Sequence, residues 1–267
     1  MRRLAFFFNH HYWRVVVLVG VLCEAVAAWL ASGHTILASI VGGIGASVLA
    51  TAIVSFAGPS GEEAYQRFLS LGVTNFYSSR NQVPNGDWVR RLCDAKHRCI
   101  LLGQAHGNWL EDPGFQPALV DRLRNGVHVE MFFLDPGGKA VQLRQQEDSI
   151  GIRDTKTRIR KSLRAIWKIR SELEPTLKEQ LRIYVYDATP SLGVTWIDSV
   201  MLVTHYLAGS SNLTSPALVV EPRPVSDTPY ATYDQNVSRI RASSFTHEVT
   251  ADNIGGYTHE GTDEHTG

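Results

Sequence analysis

The sequence predicts an α/β fold, a mixed sheet covered by helices, preceded by a two-helix transmembrane hairpin. Three observations predict it. The apolar text is concentrated between residues 15 and 57. Two helix-then-strand units follow each other between residues 87 and 136, and a series of short extended runs begins at Leu181. The order helix, strand, helix, strand with fully apolar strands argues for a sheet with helices on its faces. Across its 267 residues, 26 Lys+Arg balance 26 Asp+Glu, so no global field points to nucleic acid or to a basic partner. Cys23, Cys93 and Cys99 form neither a C-x-x-C redox pair nor a thiolate zinc set.

From the N-terminus, Val15–Ala31 and Thr35–Ala57 are apolar runs separated by Ser-Gly-His, and the second has 23 residues and no charge. At about 1.5 Å per residue it is long enough for a hydrocarbon core of about 30 Å. The first run contains Glu24 and needs Tyr12 and Trp13 as an interfacial belt to reach spanning length. A buried soluble helical hairpin is the alternative. Arg2, Arg3 and Arg14 precede the first run, which places the N-terminus (1–14) and everything after the second span in the cytoplasm, as a multi-pass protein of the cell membrane. Ser39, Gly43, Ala46 and Ala50 would give the second span a face for close helix packing.

Gly-Pro-Ser-Gly at 58–61 punctuates the boundary, 62–72 reads as a juxtamembrane helix, and the juxtamembrane segment is bounded at 58–69. A folded domain is expected over 70–245. Val73–Ser79 is strand-like; 87–98 is a helix with Trp88, Leu92 and Ala95 on one face; 99–103 is an apolar strand. Next come a helix over 115–126 ending at Asn-Gly and a strand over 127–136 closed by Pro136. A long helical region covers 139–180, interrupted near Pro175. The runs 181–187, 194–199, 200–206 and 216–222 are extended, with Asp198-Ser199 as a tight hairpin, and a last helix covers 228–244. The polar stretch 246–267 reads as a disordered tail. Its His247, His259 and His265 do not form a metal set, and neither a metal nor a cofactor is expected.

In open α/β sheets ligands gather beyond the carboxyl ends of the strands. That rule selects Gln104, His106, Asn108 and Trp109 after one strand, Asp135 after the next, Asp187 after a third, and His205 with Gly209-Ser-Ser-Asn212 after the hairpin. Histidines beside carboxylates and amides can serve phosphoryl transfer or a polar pocket, whereas aspartates at such positions are also ordinary turn formers.

The runs LGVTNFYSSR (71–80), CILLGQAHGNWL (99–110), LRNGVHVEMFFLDP (123–136) and WIDSVMLVTHYLAGSSNLTSPALVV (196–220) together resemble the phospholipase D-like superfamily, in its divergent bacterial branch, over about residues 70–245. The resemblance implies a phosphate-containing ligand and, with the apolar hairpin, attachment to a bacterial inner membrane. The family's catalytic segment is H-x-K followed by an Asp and a G-S-x-N stretch. His205 can be placed on its histidine, but Leu207 then holds the lysine position and Asn212 the Asp position, and His106 also lacks a lysine two residues on. Leucine cannot donate to a transferring phosphoryl group. The expected function is therefore a membrane-anchored, catalytically degenerate domain used in ligand sensing or assembly. The alternative is a phosphodiesterase acting on a phospholipid or nucleic acid through His205, with His106 as a second histidine and Asn108, Asp135 and Asn212 around them. Active members pair two H-x-K segments, so this alternative implies a homodimer or the pairing of His106 with His205.

Arg153, Lys156, Arg158, Arg160, Lys161, Arg164, Lys168 and Arg170 stand against Asp154 alone, a net charge of +7 over 18 residues. Such a run fits an anionic phospholipid surface or nucleic acid. A tethered domain would favour the lipid, and Glu172, Glu174 and Glu179 could also pair with part of the run to make a solvated helix face.

Overall fold

The computed structural model describes residues 61–147, 155–206 and 214–259, together with Val26, which is helical. The chain divides into two compact units, Met1–Phe68 and Leu69–Gly267. Helix α1 (Gly61–Ser70) crosses that boundary, and the architecture below is that of the second unit.

The second unit is built on one eight-stranded mixed sheet: β1 (Val73–Tyr77), β2 (Arg98–Leu102), β3 (His128–Leu134), β4 (Leu181–Tyr186), β5 (Leu192–Ile197), β6 (Val200–His205), β7 (Ala217–Val220) and β8 (Thr246–Glu248). Their order is β1-β7-β6-β5-β2-β3-β4-β8. The central β2, β3 and β4 are parallel, and every other pairing is antiparallel. Parallel strands need crossover helices. Helix α2 (Asn85–Cys93) precedes β2, α3 (Gly107–Leu110) and α4 (Phe115–Arg124) link β2 to β3, and α5 (Lys139–Glu147), α6 (Thr155–Glu172) and α7 (Pro175–Gln180) lie between β3 and β4. Helix α8 (Pro229–Ala242) and the short α9 (Ile254–Thr258) follow β7 and β8 respectively.

The two faces of the sheet are covered differently, and strand alternation assigns residues to them. Trp196 and Glu130 project to the side of α8, where Trp196 meets Tyr230 edge to face at 5.8 Å between centroids and Glu130 pairs with Arg241. Leu101, Met131 and Phe133 alternate to the other side, toward the crossover helices, whose Leu92, Leu119, Leu123, Ile159, Leu163 and Ile166 are buried in the same core.

Most sequence-derived elements are present with shifted ends. Helix α2 stops at Cys93 rather than continuing to Arg98, because the Asp198 carboxylate accepts the backbone N–H groups of Lys96, His97 and Arg98 and draws them into the approach to β2. The Asn-Gly stop holds, with Gly126 at φ +82° after α4, the left-handed position that favours glycine. The β5–β6 hairpin turns on Asp198-Ser199, and Ile197 pairs with Val200. Pro175 opens α7, where its missing N–H costs nothing. The expected disordered tail is corrected over 246–259. Thr246–Glu248 adds β8 to the edge of β4, Val249 is buried, and Asn253 precedes α9. Backbone pairing with an open sheet edge supplies what the polar side chains cannot.

The membrane reading is also corrected. The hairpin expected over 15–57 lies outside the described residues apart from Val26, and no helix among the described residues is long and apolar enough to cross a membrane. The longest of them, α6, has 18 residues and carries Lys156, Arg158, Arg160, Lys161, Arg164, Lys168 and Arg170, a load incompatible with a hydrocarbon core. The expectation of a multi-pass, membrane-anchored protein finds no spanning helix among the described residues, and the fold they form is a mixed sheet flanked by helices.

Candidate functional site

The chain after β2 makes the site. Gly103 donates its N–H to the Phe132 carbonyl, and Leu134 donates to the Gln104 carbonyl, so the backbone remains tied to β3 for two residues beyond the strand. It then turns sharply at His106, whose φ of 52° and ψ of 27° are left-handed, before Gly107 opens the short α3. The ring of His106 packs edge to face on Phe133 with centroids 4.9 Å apart. Its Nε2 lies 2.9 Å from the Phe132 carbonyl oxygen. A carbonyl only accepts, so Nε2 carries the proton and Nδ1 carries the lone pair. Burial lowers the His106 pKa from 6.5 to about 4, against the opposing pull of the Phe132 hydrogen bond. At neutral pH His106 is therefore an uncharged imidazole of fixed tautomer.

Around it lies a cavity of about 70 Å³ lined by Arg80, Gln104, His106, Asn108, Arg158 and Tyr206 among others. Room for one water takes about 10–15 Å³ on this measure, so the space fits a group of a few heavy atoms rather than a drug-sized ligand. Its lining carries positive charge. Arg80 and Arg158 contribute two guanidinium groups. Thr155, the first residue of α6, also lines the cavity, which brings the positive end of an 18-residue helix to its wall. The side-chain Nε2 of Gln104 is buried without a hydrogen-bond partner among the described residues, a donor facing the cost of an unmade bond. Burial lowers the Arg80 pKa, with the Tyr206 phenol opposing, yet a guanidinium remains charged.

Tyr206 is seated by glycines. A Cβ on Gly193 would stand 2.8 Å from its hydroxyl oxygen, and one on Gly103 would stand 3.2 Å from the same atom and 3.1 Å from His106 Cε1. The Arg144 guanidinium lies 5.8 Å over the Tyr206 ring, within cation–π range. Beneath, the buried Tyr186 hydroxyl donates to the Gly103 carbonyl at 3.2 Å, and burial, with the neighbouring Tyr206 adding to it, raises its pKa well above the usual phenol value.

The sequence-derived site residues divide sharply. His106 and Asn108 share the cavity wall. His205 does not join them. Leu202, Thr204 and Tyr206 line the cavity, and alternation turns His205 to the opposite face, where its Nε2 lies 3.3 Å from the Tyr233 hydroxyl of α8. The two histidines offered as a pair thus lie on opposite faces of the sheet within one chain. Asp135 accepts the Gly137 N–H at 2.7 Å, and Asp187 accepts the N–H groups of Lys139 and Ala140 at the start of α5, so both shape the turn into that helix. Asn212 and Leu207 lie outside the described residues. Among the described residues, no group of three or more His, Cys, Asp or Glu could hold a metal ion.

Arg80, Tyr206 and the cavity position of Arg158 were not singled out from the sequence. The signal for Tyr206 was strand parity: once Leu202 is on one face, Tyr206 must share it and His205 cannot. Arg80 had no sequence signal, because its approach depends on the pairing of β1 with β7 and on its backbone bond to Ser215.

A family model described as "Domain of unknown function (DUF5919)" matches residues 115–237. No curated protein matches. Among solved structures, the chain is similar to TrmBL2, an archaeal chromatin protein whose structure is described as showing a novel mode of DNA binding (10% identity, TM-score 0.40, 70% of this chain and 61% of that one). It is similar to the phosphatidylserine synthase of Haemophilus influenzae Rd KW20 (14%, TM-score 0.43, 65% and 39%). It is also similar to Nuc, a phospholipase D family member from Salmonella typhimurium (11%, TM-score 0.36, 62% and 90%). The chain thus spans less than two thirds of the first two. The resemblance to the phospholipase D-like fold and its hydrolases is weak and of low identity. The expectation of a degenerate domain behind a membrane hairpin is corrected in its anchoring: no helix among the described residues is long and apolar enough to cross a membrane.

Proposed function

We propose that the chain is a phosphodiesterase whose cavity beside β2 binds the phosphodiester group and whose pocket histidine is His106. The observation that supports this most is the convergence of Arg80, Arg158 and the start of α6 on a small cavity that also contains a neutral imidazole. Two guanidinium groups and a helix N-terminus stabilise the negative charge that accumulates on phosphoryl oxygens. Hydrogen-bond donation by Nε2 to the Phe132 carbonyl leaves Nδ1 as the nitrogen able to take a proton from water while that water's oxygen bonds phosphorus and one ester oxygen leaves with its P–O bond broken. Asn108 and Gln104 supply neutral amides to the same wall. His205 serves packing with Tyr233 in this reading rather than the reaction.

The test is turnover of bis(4-nitrophenyl) phosphate by the purified protein and by His106→Asn and Arg80→Gln variants. Asn is chosen because it tolerates the left-handed backbone of residue 106. Turnover that disappears in His106→Asn and falls by at least tenfold in Arg80→Gln, with near-native circular dichroism for both, supports the reading. A wild-type rate equal to that of buffer, or one that survives in His106→Asn, refutes it.

A further inference from the structure

The cavity holds one phosphate-sized group, but the positive charge does not stop at its rim. Arg158 lines the cavity and begins an exposed stripe on α6. Lys161, Arg164 and Lys168 are exposed on the same helix, and their spacing of three and four residues keeps them on one side. At about 1.5 Å per residue the stripe runs about 15 Å from the cavity. Arg170, further along the helix, has different surroundings. Arg170 donates its Nε–H to the Leu181 carbonyl at 2.9 Å and lies over Trp167. Lys161 pairs with Glu111 at 3.2 Å, with both side chains more than two thirds exposed, so water and salt leave it open to exchange for another anion.

We infer that Arg158, Lys161, Arg164 and Lys168 form a track for the backbone of a single nucleic-acid strand, one of whose phosphodiesters enters the cavity. The inference rests on the phosphodiester reading of that cavity and names its substrate class. A membrane surface fits the stripe poorly. Ile159, Leu163 and Ile166, the apolar side of α6, are fully buried, and none of the exposed large hydrophobic residues lies on α6. Helices that bind bilayers present such residues for insertion. A polymer uses both features at once, because successive phosphates can occupy the cavity and then the track. A duplex behaves as a rod with a persistence length of about 150 bp, whereas a single strand can bend from the cavity onto the helix. With no exposed aromatic residue along the stripe, there is no stacking platform of the kind that reads bases, so recognition is of the backbone and is independent of sequence.

Anisotropy with a labelled oligothymidylate of about 20 nucleotides, measured across a salt series with the full chain, tests the track. The comparison is with the triple variant Lys161→Gln, Arg164→Gln, Lys168→Gln, whose residues lie outside the cavity. The expected result is at least a tenfold loss of affinity near 0.1 M salt and a salt slope shallower by about 2, at about 0.7 per lost contact on a single strand. Phosphatidylglycerol vesicles should compete no better than phosphatidylcholine vesicles. Oligonucleotide binding unchanged in the triple variant overturns the track. Capture by phosphatidylglycerol vesicles that is lost in the triple variant while oligonucleotide binding persists assigns the stripe to lipid and also overturns it. The two readings fail separately. Absence of bis(4-nitrophenyl) phosphate turnover, with oligonucleotide binding weakened by both Arg80→Gln and the triple variant, removes hydrolysis and leaves the track.

Discussion

Acid should loosen this fold through His106. His106 is held neutral in the folded state with a pKa of about 4, against 6.5 for the ordinary imidazole. As pH falls through 6.5, the unfolded chain takes up the proton while the folded chain does not, so stability is fully present above pH 6.5 and declines toward pH 4. A gap of that size is worth about 3 kcal/mol at about 1.4 kcal/mol per pH unit. Because part of the ring faces the cavity, solvent screening reduces it to about 2 kcal/mol. The assay is urea unfolding at pH 7.5 and pH 4.5 for the wild type and for His106→Asn. The variant cannot ionise at this position, and it loses packing on Phe133 and the bond to Phe132 equally at both pH values. We expect the wild type to lose about 2 kcal/mol more than the variant between the two conditions, with other titrating groups cancelling in the difference. Superimposable pH dependences, or a steeper one in the variant, would refute the assignment of His106 as a buried neutral base.

Other substitutions separate neighbouring roles. His205→Ala should leave phosphodiester turnover within about twofold of wild type, because its contact is with Tyr233 on the other face of the sheet; an abolished rate with an intact fold would restore His205 to the reaction. Gly193→Ala places a methyl group 2.8 Å from the Tyr206 hydroxyl oxygen, and should weaken competition by inorganic phosphate several-fold while moving the urea midpoint little. Asp198→Ala removes the acceptor for three backbone N–H groups and should cost about 1–3 kcal/mol in chemical denaturation. Burial alone would raise the Asp198 pKa, but hydrogen bonds from Lys96, Arg98 and His97 lower it overall, so its contribution should persist above the ordinary carboxylate range and be lost as pH falls below it. Leu119→Ala, at a fully buried core position, should cost about 2–5 kcal/mol in the same assay.

By itself the sequence determined the local elements of the second unit. Short apolar runs bounded by turn residues became β2, β3 and β4, the Asn-Gly stop ended α4, and Asp198-Ser199 made the hairpin, because these features depend on neighbours a few residues apart. It also placed His106 and Asn108 beyond a strand end, where an open sheet leaves room for a ligand. Tertiary structure decided what distant segments do to one another. Asp198 shortened α2 from a hundred residues away, and the free edge of β4 recruited Thr246–Glu248 from a polar segment with too few apolar side chains to suggest order. The site was divided by the sheet. His205 and Tyr206 are adjacent in the chain, but pleating sends one to α8 and the other to the cavity, so a histidine motif read along the chain does not show which face its side chain takes. The cationic character of the cavity came from Arg80 and Arg158, 78 positions apart, whose approach depends on strand order and on the packing of α6. Neither is encoded in any local pattern, since charge convergence is a property of the folded surface rather than of sequence spacing.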